Sequence, residues 1–275
     1  MRVGGHVLER FEAVVLFKRP YRDHDLLVKL FTKDHGKRMF FIKNGRSATH
    51  ALVAQIVPWS VNDYVGTLNE SGFSFIREGS TVFFPRQLQS DLTLQAYASY
   101  FVQLTDAVTE DFLPDKVLFE LLVSTLKRLN RADNPDVTMI YLELQLLPRF
   151  GAHLNWRYCL FTKRATGIFD FSIQQGGIIH ESVFHEDRYR LNIHPRAIHF
   201  ARILATHSLE SIQTIDIAPE TIQEMQRLVN ELYQEYVGIR LKSKQYIEHL
   251  GDMDAKYQAL LAQRKAKDTI EEELS

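Results

Sequence analysis

The hydrophobic pattern changes its period between residues 84 and 88, and no other feature of the chain constrains the fold as strongly. Before this point, strand-length apolar runs rich in β-forming residues are separated by Pro, Gly, Asn and Asp. The runs fall at residues 13–17, 26–32, 37–43, 57–65 and 73–84. Short strands at such regular spacing are typical of a small barrel or sandwich. Five of them suit an oligonucleotide-binding (OB) barrel, although other small barrels share the pattern.

After residue 88 the apolar residues recur every three or four positions, as on one face of a helix. The first helix is marked by Leu94, Tyr97, Phe101, Leu104 and Val108. Further helices are predicted behind residue 114, from the N-cap signal Asp133-Asn134-Pro135, near residue 194 and from residue 219. The fold class predicted is therefore α+β and multidomain, with an N-terminal OB-fold β-barrel followed by a mainly α-helical domain.

Residues 152–192 interrupt the helical pattern. They show no period, hold several aromatic residues and contain the single cysteine, Cys159. One cysteine excludes an intramolecular disulfide and a four-thiolate zinc site within the chain. We therefore predict an OB-fold nucleic-acid-binding domain at 1–84, a helical domain in two parts at 85–151 and 193–250, the insertion between them, and a charged C-terminal tail at 251–275.

Charge is distributed unevenly along the chain. The whole sequence has 33 Lys and Arg against 34 Asp and Glu, a net charge of −1. The first 50 residues hold 11 basic and 5 acidic side chains, a local excess of six positive charges. Such a field attracts polyanions whatever the net charge, although a solvated basic face would give the same count.

The basic residues of this first segment alternate with aromatic ones, which favours nucleic-acid binding because cations neutralise phosphates while rings stack on bases. Either Phe40 or Phe41 must belong to the core, since strand neighbours point to opposite faces. A second basic-aromatic cluster follows Gly238 and is either an auxiliary phosphate contact or a solvated helix end. The predicted DNA-binding residues are Lys18, Arg19, Arg22, Lys33, Lys37, Arg38, Phe40, Lys43, Arg46, Arg240, Lys242 and Lys244.

Candidates for catalysis are weak. Asp23 and Asp25 flank a turn rich in charge, where solvated or salt-bridged carboxylates are typical. His180 and His185 are five residues apart and cannot share the helix face that a zinc-protease motif needs. Neither a phosphate-binding GxxxxGK[ST] nor a GxSxG sequence occurs. We predict no catalytic residue, no metal, no cofactor and no membrane segment, and a cytoplasmic protein that is not an enzyme.

Several stretches, taken in order, resemble the bacterial recombination mediator family RecO. The sequences that carry the resemblance include YRDHDLL at 21–27, FTKDHGK at 31–37, ELQLLPRFG at 143–151 and GGI at 176–178. The resemblance spans about residues 10–247. It implies binding of single- and double-stranded DNA without sequence specificity, strand annealing, and recombinase loading on DNA coated with single-stranded DNA-binding protein (SSB). The implied partners are RecR and the acidic C-terminal tail of SSB, and the implied location is near the nucleoid.

The same resemblance implies a zinc-finger-like insertion, which in this chain is degenerate and cysteine-poor. Family members often carry two CxxC pairs there, whereas here only Cys159 and His180 remain as plausible ligands, with His185 nearby. Two or three ligands do not close a tetrahedral site, so we predict no structural zinc. Apolar packing is expected to organise the insertion instead, through Trp156, Tyr158, Phe161, Phe169 and Phe171.

Two other function classes remain open at this point. A metal-dependent nuclease or phosphotransferase would use Asp23, Asp25 or the pair of His180 and His185. A protein-binding adaptor would dock an acidic peptide on the helical domain and would not bind DNA.

Overall fold

Five antiparallel strands between residues 9 and 83 form one sheet. The computed structural model describes residues 2–3, 6–212, 217–239, 241–247 and 249. A short pair, β1 (Arg2–Val3) and β2 (His6–Val7), precedes the sheet. The sheet strands are β3 (Glu9–Tyr21), β4 (Asp25–Thr32), β5 (Gly36–Ile42), β6 (Val61–Thr67) and β7 (Phe75–Phe83). Their order in the sheet is β5-β4-β3-β6-β7.

The sheet closes on itself where the segment before β7 meets β5. The backbone N–H of Phe41 donates to the Ser74 carbonyl at 3.0 Å, and the Ser74 N–H donates to the Met39 carbonyl at 2.9 Å. The prediction of an OB-like barrel is confirmed. β3 is longer than predicted and runs through Pro20, because β6 pairs only with its first half and the proline has β4 as its single neighbour.

β3 serves two cores, because successive side chains point to opposite faces of a strand. Ala13 and Val15 face the barrel interior, where they pack with Val28 and Phe40. Val14 and Leu16 face outwards and pack with the helices. Phe31 of β4 joins this outer group and meets the Phe119 ring edge-on, with 5.8 Å between centroids. The barrel is thus fused to the helical region by a shared apolar core.

The helical region confirms the change of period. Its first part contains α1 (Arg86–Ser90), α2 (Leu92–Val108), α3 (Lys116–Leu129), α4 (Pro135–Leu146) and a 3-10 helix at Leu147–Phe150. The predicted N-cap is also present, since the side chain of Asn134 accepts a hydrogen bond from the Val137 N–H at 3.1 Å. After the insertion follow α5 (Pro195–Thr206) and α6 (Pro219–Tyr236). Among the described residues, no helix is long and apolar enough to cross a lipid bilayer.

The insertion contains one hairpin, β8 (Phe169–Ser172) and β9 (Gly177–His180). Its apolar centre is formed by Trp156, Phe169 and Phe171, with 4.9 Å between the ring centroids of Trp156 and Phe171. Tyr158 and Phe161 were expected in this centre, but they are 39% and 43% exposed. The reason is that the tight turn around buried Cys159 directs both neighbouring rings to solvent.

Candidate nucleic-acid interface

Two turns meet at one end of the barrel and bring three predicted cations together. Arg22 lies in the β3–β4 turn with a left-handed backbone (φ 51°). The turn after β5 docks on it through Arg46, whose N–H donates to the His24 carbonyl at 3.1 Å and whose guanidinium donates to the Asp23 carbonyl at 2.8 Å. Lys43, the first residue of the turn after β5, is exposed, as are Arg22 and Arg46.

An open cluster of four rings lies beside these cations. Tyr21 meets Phe41 and Phe73 edge-on, with centroid distances of 6.1 and 5.8 Å, and Phe75 lies 6.2 Å from Phe41. Phe73 and Phe75 are 36% and 46% exposed. The guanidinium carbon of Arg22 is 5.2 Å from the centroid of the Tyr21 ring, within the range of a cation–π contact.

Arg19 continues this surface along the outer face of the sheet. It pairs with Leu27 across the strands, and Leu27 pairs with Phe41, so Arg19 and Phe41 belong to one cross-strand row. Lys18 is exposed at the same end of β3, but it pairs with Val28 of the barrel interior and therefore lies on the opposite face from Arg19, so the structure does not place this predicted residue with the others. We call the region around the rings the tip surface, and its members are Arg19, Tyr21, Arg22, Phe41, Lys43, Arg46, Phe73 and Phe75.

Phe40, which was predicted to contact DNA, belongs to the barrel core. This ring is fully buried and stacks on Phe11 in the barrel core, with 5.6 Å between centroids. Alternation along β5 turns Phe40 inwards and Phe41 outwards, so Phe41 is the ring available at the surface. Phe73 and Phe75 were not predicted, although they are two residues apart in the strand predicted at 73–84, where alternation places both on one face. In the structure Phe75 begins β7 and Phe73 precedes it.

Lys37, which was also predicted to contact DNA, is 3% exposed and is held by two carboxylates. Its Nζ lies 2.6 Å from Asp106 Oδ1 and 3.5 Å from Asp111 Oδ1, and Lys29 Nζ lies 2.8 Å from Asp106. Burial by itself would raise the pKa of Asp106, but hydrogen bonds and charge from Lys29 and Lys37 outweigh it and hold this pKa below its ordinary value. These charges fasten the barrel to the C-terminal end of α2.

Lys33 and Arg38 are likewise used within the molecule. Lys33 Nζ lies 2.5 Å from a Glu120 carboxylate oxygen on α3. Arg38 donates to the Asn69 carbonyl and, at 3.1 Å, to the His35 carbonyl, while its guanidinium carbon is 4.9 Å from the Phe112 ring centroid. Neither side chain lies at the tip surface, so their assignment to DNA is not supported by their contacts.

The second cluster does not form a basic surface around Lys244. Lys244 Nζ lies 2.5 Å from Oε1 of Glu143, a carboxylate that is 1% exposed, and it sits over the rings of Tyr100 and Tyr233. Lys244, which was predicted to contact DNA, is instead paired within the molecule, because a carboxylate as buried as that of Glu143 requires a cation beside it. Lys242 is exposed. Arg240 lies outside the described residues.

Comparison with known proteins decides the family. Residues 7–84 match the model described as Recombination protein O N terminal, and residues 89–245 match Recombination protein O C terminal. Proteins called DNA repair protein RecO match most of the chain. The relative from Enterococcus faecalis is 35% identical over 239 residues, which is 87% of this chain and 91% of the relative. The relative from Lactiplantibacillus plantarum is 33% identical over 262 residues, 95% of this chain and all (100%) of the relative.

The chain belongs to the RecO family. It is therefore a member of a family of DNA repair and recombination proteins. A third relative, DNA repair protein RecO of Streptococcus thermophilus, is 36% identical over 237 residues, with 86% of this chain and 91% of the relative covered.

In this RecO chain the insertion does not fit a zinc ion. Within the described residues, no group of three His, Cys, Asp or Glu side chains could hold a metal. Cys159 is buried and its Sγ accepts the Thr162 N–H at 3.4 Å. Burial alone would raise the pKa of the Cys159 thiol. Hydrogen bonds from Thr162 and from the backbone of His180 and Phe161 have the larger effect, so the pKa lies below its ordinary value. The sulfur of Cys159 is therefore surrounded by backbone N–H donors, which stabilise its negative charge without a metal.

The two histidines and the paired aspartates that were considered for catalysis contact other groups of the protein. His180 is buried with Nδ1 2.9 Å from the Ser182 hydroxyl, whereas His185 is exposed and lies 3.2 Å from Glu186. Asp25 accepts the Asn44 N–H at 2.9 Å, which fixes the turn that carries Lys43 and Arg46.

Proposed function

We propose that this RecO chain binds single- and double-stranded DNA through the tip surface, without reading sequence and without cleaving or forming bonds. One observation carries the proposal. Exposed cations surround a partly exposed cluster of rings on a closed five-stranded barrel. Cations neutralise the phosphates of any strand, while ring faces stack on bases only where these are unpaired.

On such a surface, annealing needs no catalytic group. A strand held by its backbone keeps its base edges free for a complement, and the cations screen the repulsion between the two strands. Resemblance to RecO proteins supports the remaining functions, namely recombinase loading on SSB-coated DNA with RecR and the acidic SSB tail as partners. The same proposal includes two further points. The domains end at residues 84, 151, 192 and 250, and the protein acts near the nucleoid.

Salt dependence of binding tests the proposal. With four cations at the tip surface, the slope of log affinity against log salt for a single strand should be about −2.8, at roughly 0.7 per phosphate contact. The variant R22E/K43E/R46E should weaken binding of every sequence, measured by fluorescence anisotropy of labelled oligonucleotides. The matched control is R86E/R131E/R188E, which reverses three exposed cations elsewhere.

The two charge-reversed variants separate the outcomes. Loss of affinity in the first and not in the second supports the tip surface. Equal affinity of the wild-type protein and R22E/K43E/R46E would overturn it. An oligonucleotide that shows no binding at low salt would favour the adaptor, and divalent-dependent cleavage would favour the nuclease.

A further inference from the structure

The first loop of the insertion is strongly basic although the chain as a whole is not. Between residues 152 and 169 the sequence contains Arg157, Lys163 and Arg164 and no Asp or Glu. All three cations are exposed. We call residues 152–169 the acid-free loop. A run of this length without a carboxylate leaves its positive charge uncompensated along the backbone, which attracts anions.

Exposed rings are interleaved with these cations. Tyr158 and Phe161 are 39% and 43% exposed, and Lys163 Nζ lies 5.1 Å from the centroid of the Tyr158 ring. The acid-free loop therefore repeats, on another part of the molecule, the combination of solvent-facing rings and cations found at the tip surface.

Hydrogen bonds from α5 and within the loop itself hold the backbone of the acid-free loop in place. Arg202 on α5 donates to the carbonyls of Trp156, Arg157 and Ala165 at 2.9, 3.0 and 3.1 Å. The Cys159 N–H donates to the Arg164 carbonyl at 2.7 Å, which closes the turn. These bonds fix the backbone before any ligand arrives, so little conformational entropy is lost on binding.

A groove of about 410 Å³ runs along this loop, within the range of about 300–1,000 Å³ typical of ligand sites. Trp156, Arg157 and Tyr158 of the loop line it, and Pro148, His153 and Thr206 are among the other lining residues. Phe161, Lys163 and Arg164 belong to the loop but do not line the groove. No carboxylate is among the described residues that line it. The groove thus offers apolar and hydrogen-bonding groups to a flat polar ligand and nothing that repels an anion.

From these observations we infer that the acid-free loop is a second binding site for single-stranded nucleic acid, a proposal that rests on strand binding at the tip surface. Phosphates would contact Arg157, Lys163 and Arg164, and bases would stack on Tyr158 and Phe161. Exposed rings between cations favour a nucleic acid over an acidic peptide, since a peptide carboxylate needs the cations alone.

The two sites are carried by different helices. Lys37 and Lys33 fasten the barrel to α2 and α3, whereas Arg202 fastens the loop to α5. One molecule could then hold a strand at each site, which raises the effective concentration of one strand around the other and speeds annealing.

Capture of a second strand tests the inference. Protein bound to an immobilised oligonucleotide is exposed to a labelled, non-complementary single strand, and annealing of complementary strands is followed separately by energy transfer. In R157E/K163E/R164E, capture and annealing rate should fall about tenfold or more, because three phosphate contacts are lost. Affinity for the first strand should stay within about twofold.

The matched control is R188E/Y189S, which removes an exposed cation and an 85% exposed ring in the same insertion but beside Glu186 and Asp187. It should leave capture unchanged. If charge reversal lowers the melting midpoint, R157Q/K163Q/R164Q and Y158S/F161S replace it, with the same expectation.

Unchanged capture in these variants would overturn the second site. The second site would also be overturned if these variants lost binding of an acidic peptide and still captured the second strand. That result would assign the loop to a protein partner. Failure of the tip surface is recognised separately, as retained first-strand affinity in R22E/K43E/R46E.

Discussion

At the scale of single residues, the rings of the tip surface should distinguish unpaired from paired DNA. A base can stack on Phe73 only if it has left the duplex. Replacement of Phe73 by Ala should lower single-strand affinity roughly fivefold or more, because stacking contributes about 1–3 kcal/mol per base. Duplex affinity should not change.

Anisotropy titrations with single- and double-stranded forms of one sequence measure this difference. Tyr189→Ala is the control, since that ring is 85% exposed and lies away from the tip surface. An equal loss for both forms of DNA would mean that Phe73 supports the barrel rather than the base.

A second prediction at this scale concerns the buried carboxylate of Glu143. It receives hydrogen bonds from the Tyr100 hydroxyl at 2.6 Å and from Lys244 at 2.5 Å. Lys244→Met removes the cation and leaves the carboxylate buried, which should lower the free energy of unfolding by about 3 kcal/mol. The double variant E143Q/K244M should recover most of this loss, because a neutral amide still bonds the tyrosine.

Urea unfolding of the two variants measures the effect, and Lys242→Met serves as the control because Lys242 is exposed in the same helical segment, 242–247. If K244M and K242M unfold at the same urea concentration, the bond between Lys244 and Glu143 contributes nothing to stability.

At the scale of elements, the contact between β5 and α2 should be sensitive to acid. The pKa of Asp106 lies below its ordinary value in the folded state, so its stabilising effect is complete above the unfolded value of about 3.9 and is lost as pH falls through the folded value. In D106N this contribution is absent, and the drop in the free energy of unfolding between pH 6 and pH 3 should be smaller than in the wild-type protein.

Urea titrations at the two pH values measure this drop. Asp63→Asn, on the exposed face of β6, is the control and should behave as the wild-type protein does. Part of the acid sensitivity should persist in D106N, since the pKa values of Asp34 and Asp115 are also lowered, by Lys116 and by Arg149. An identical drop in D106N and wild type would contradict the assignment.

The same elements show what the sequence can and cannot predict. Strands and helices follow from the spacing of apolar residues, and the N-cap at Asn134 follows from local chemistry. Lys37 near the start of β5 and Lys43 directly after its end are alike by alternation. Only the docking of α2 over one end of the strand separates them, and that contact joins residues 69 positions apart. The same limit explains Lys244, whose partner Glu143 is 101 positions away.

At the scale of the whole molecule, the barrel and the helices should unfold together because they share one core. Trp59 lies in this core where the barrel meets the helices, and Trp156 lies in the insertion. In the single-tryptophan variants W156F and W59F, fluorescence should report the same urea midpoint as far-UV circular dichroism, as a two-state transition requires. Two separate midpoints would show that the parts unfold independently.

The alternation of β3 between two cores has a consequence for anyone who divides this chain. In a fragment that ends at residue 84, the helices that cover the outer face of the sheet are missing. The side chains of Val14, Leu16, Phe31 and Trp59 would then be exposed to solvent. These side chains would form an exposed hydrophobic patch on the β-barrel, and such patches promote self-association. We expect such a fragment to precipitate or to oligomerise, so that DNA binding by the barrel is best measured on the intact chain.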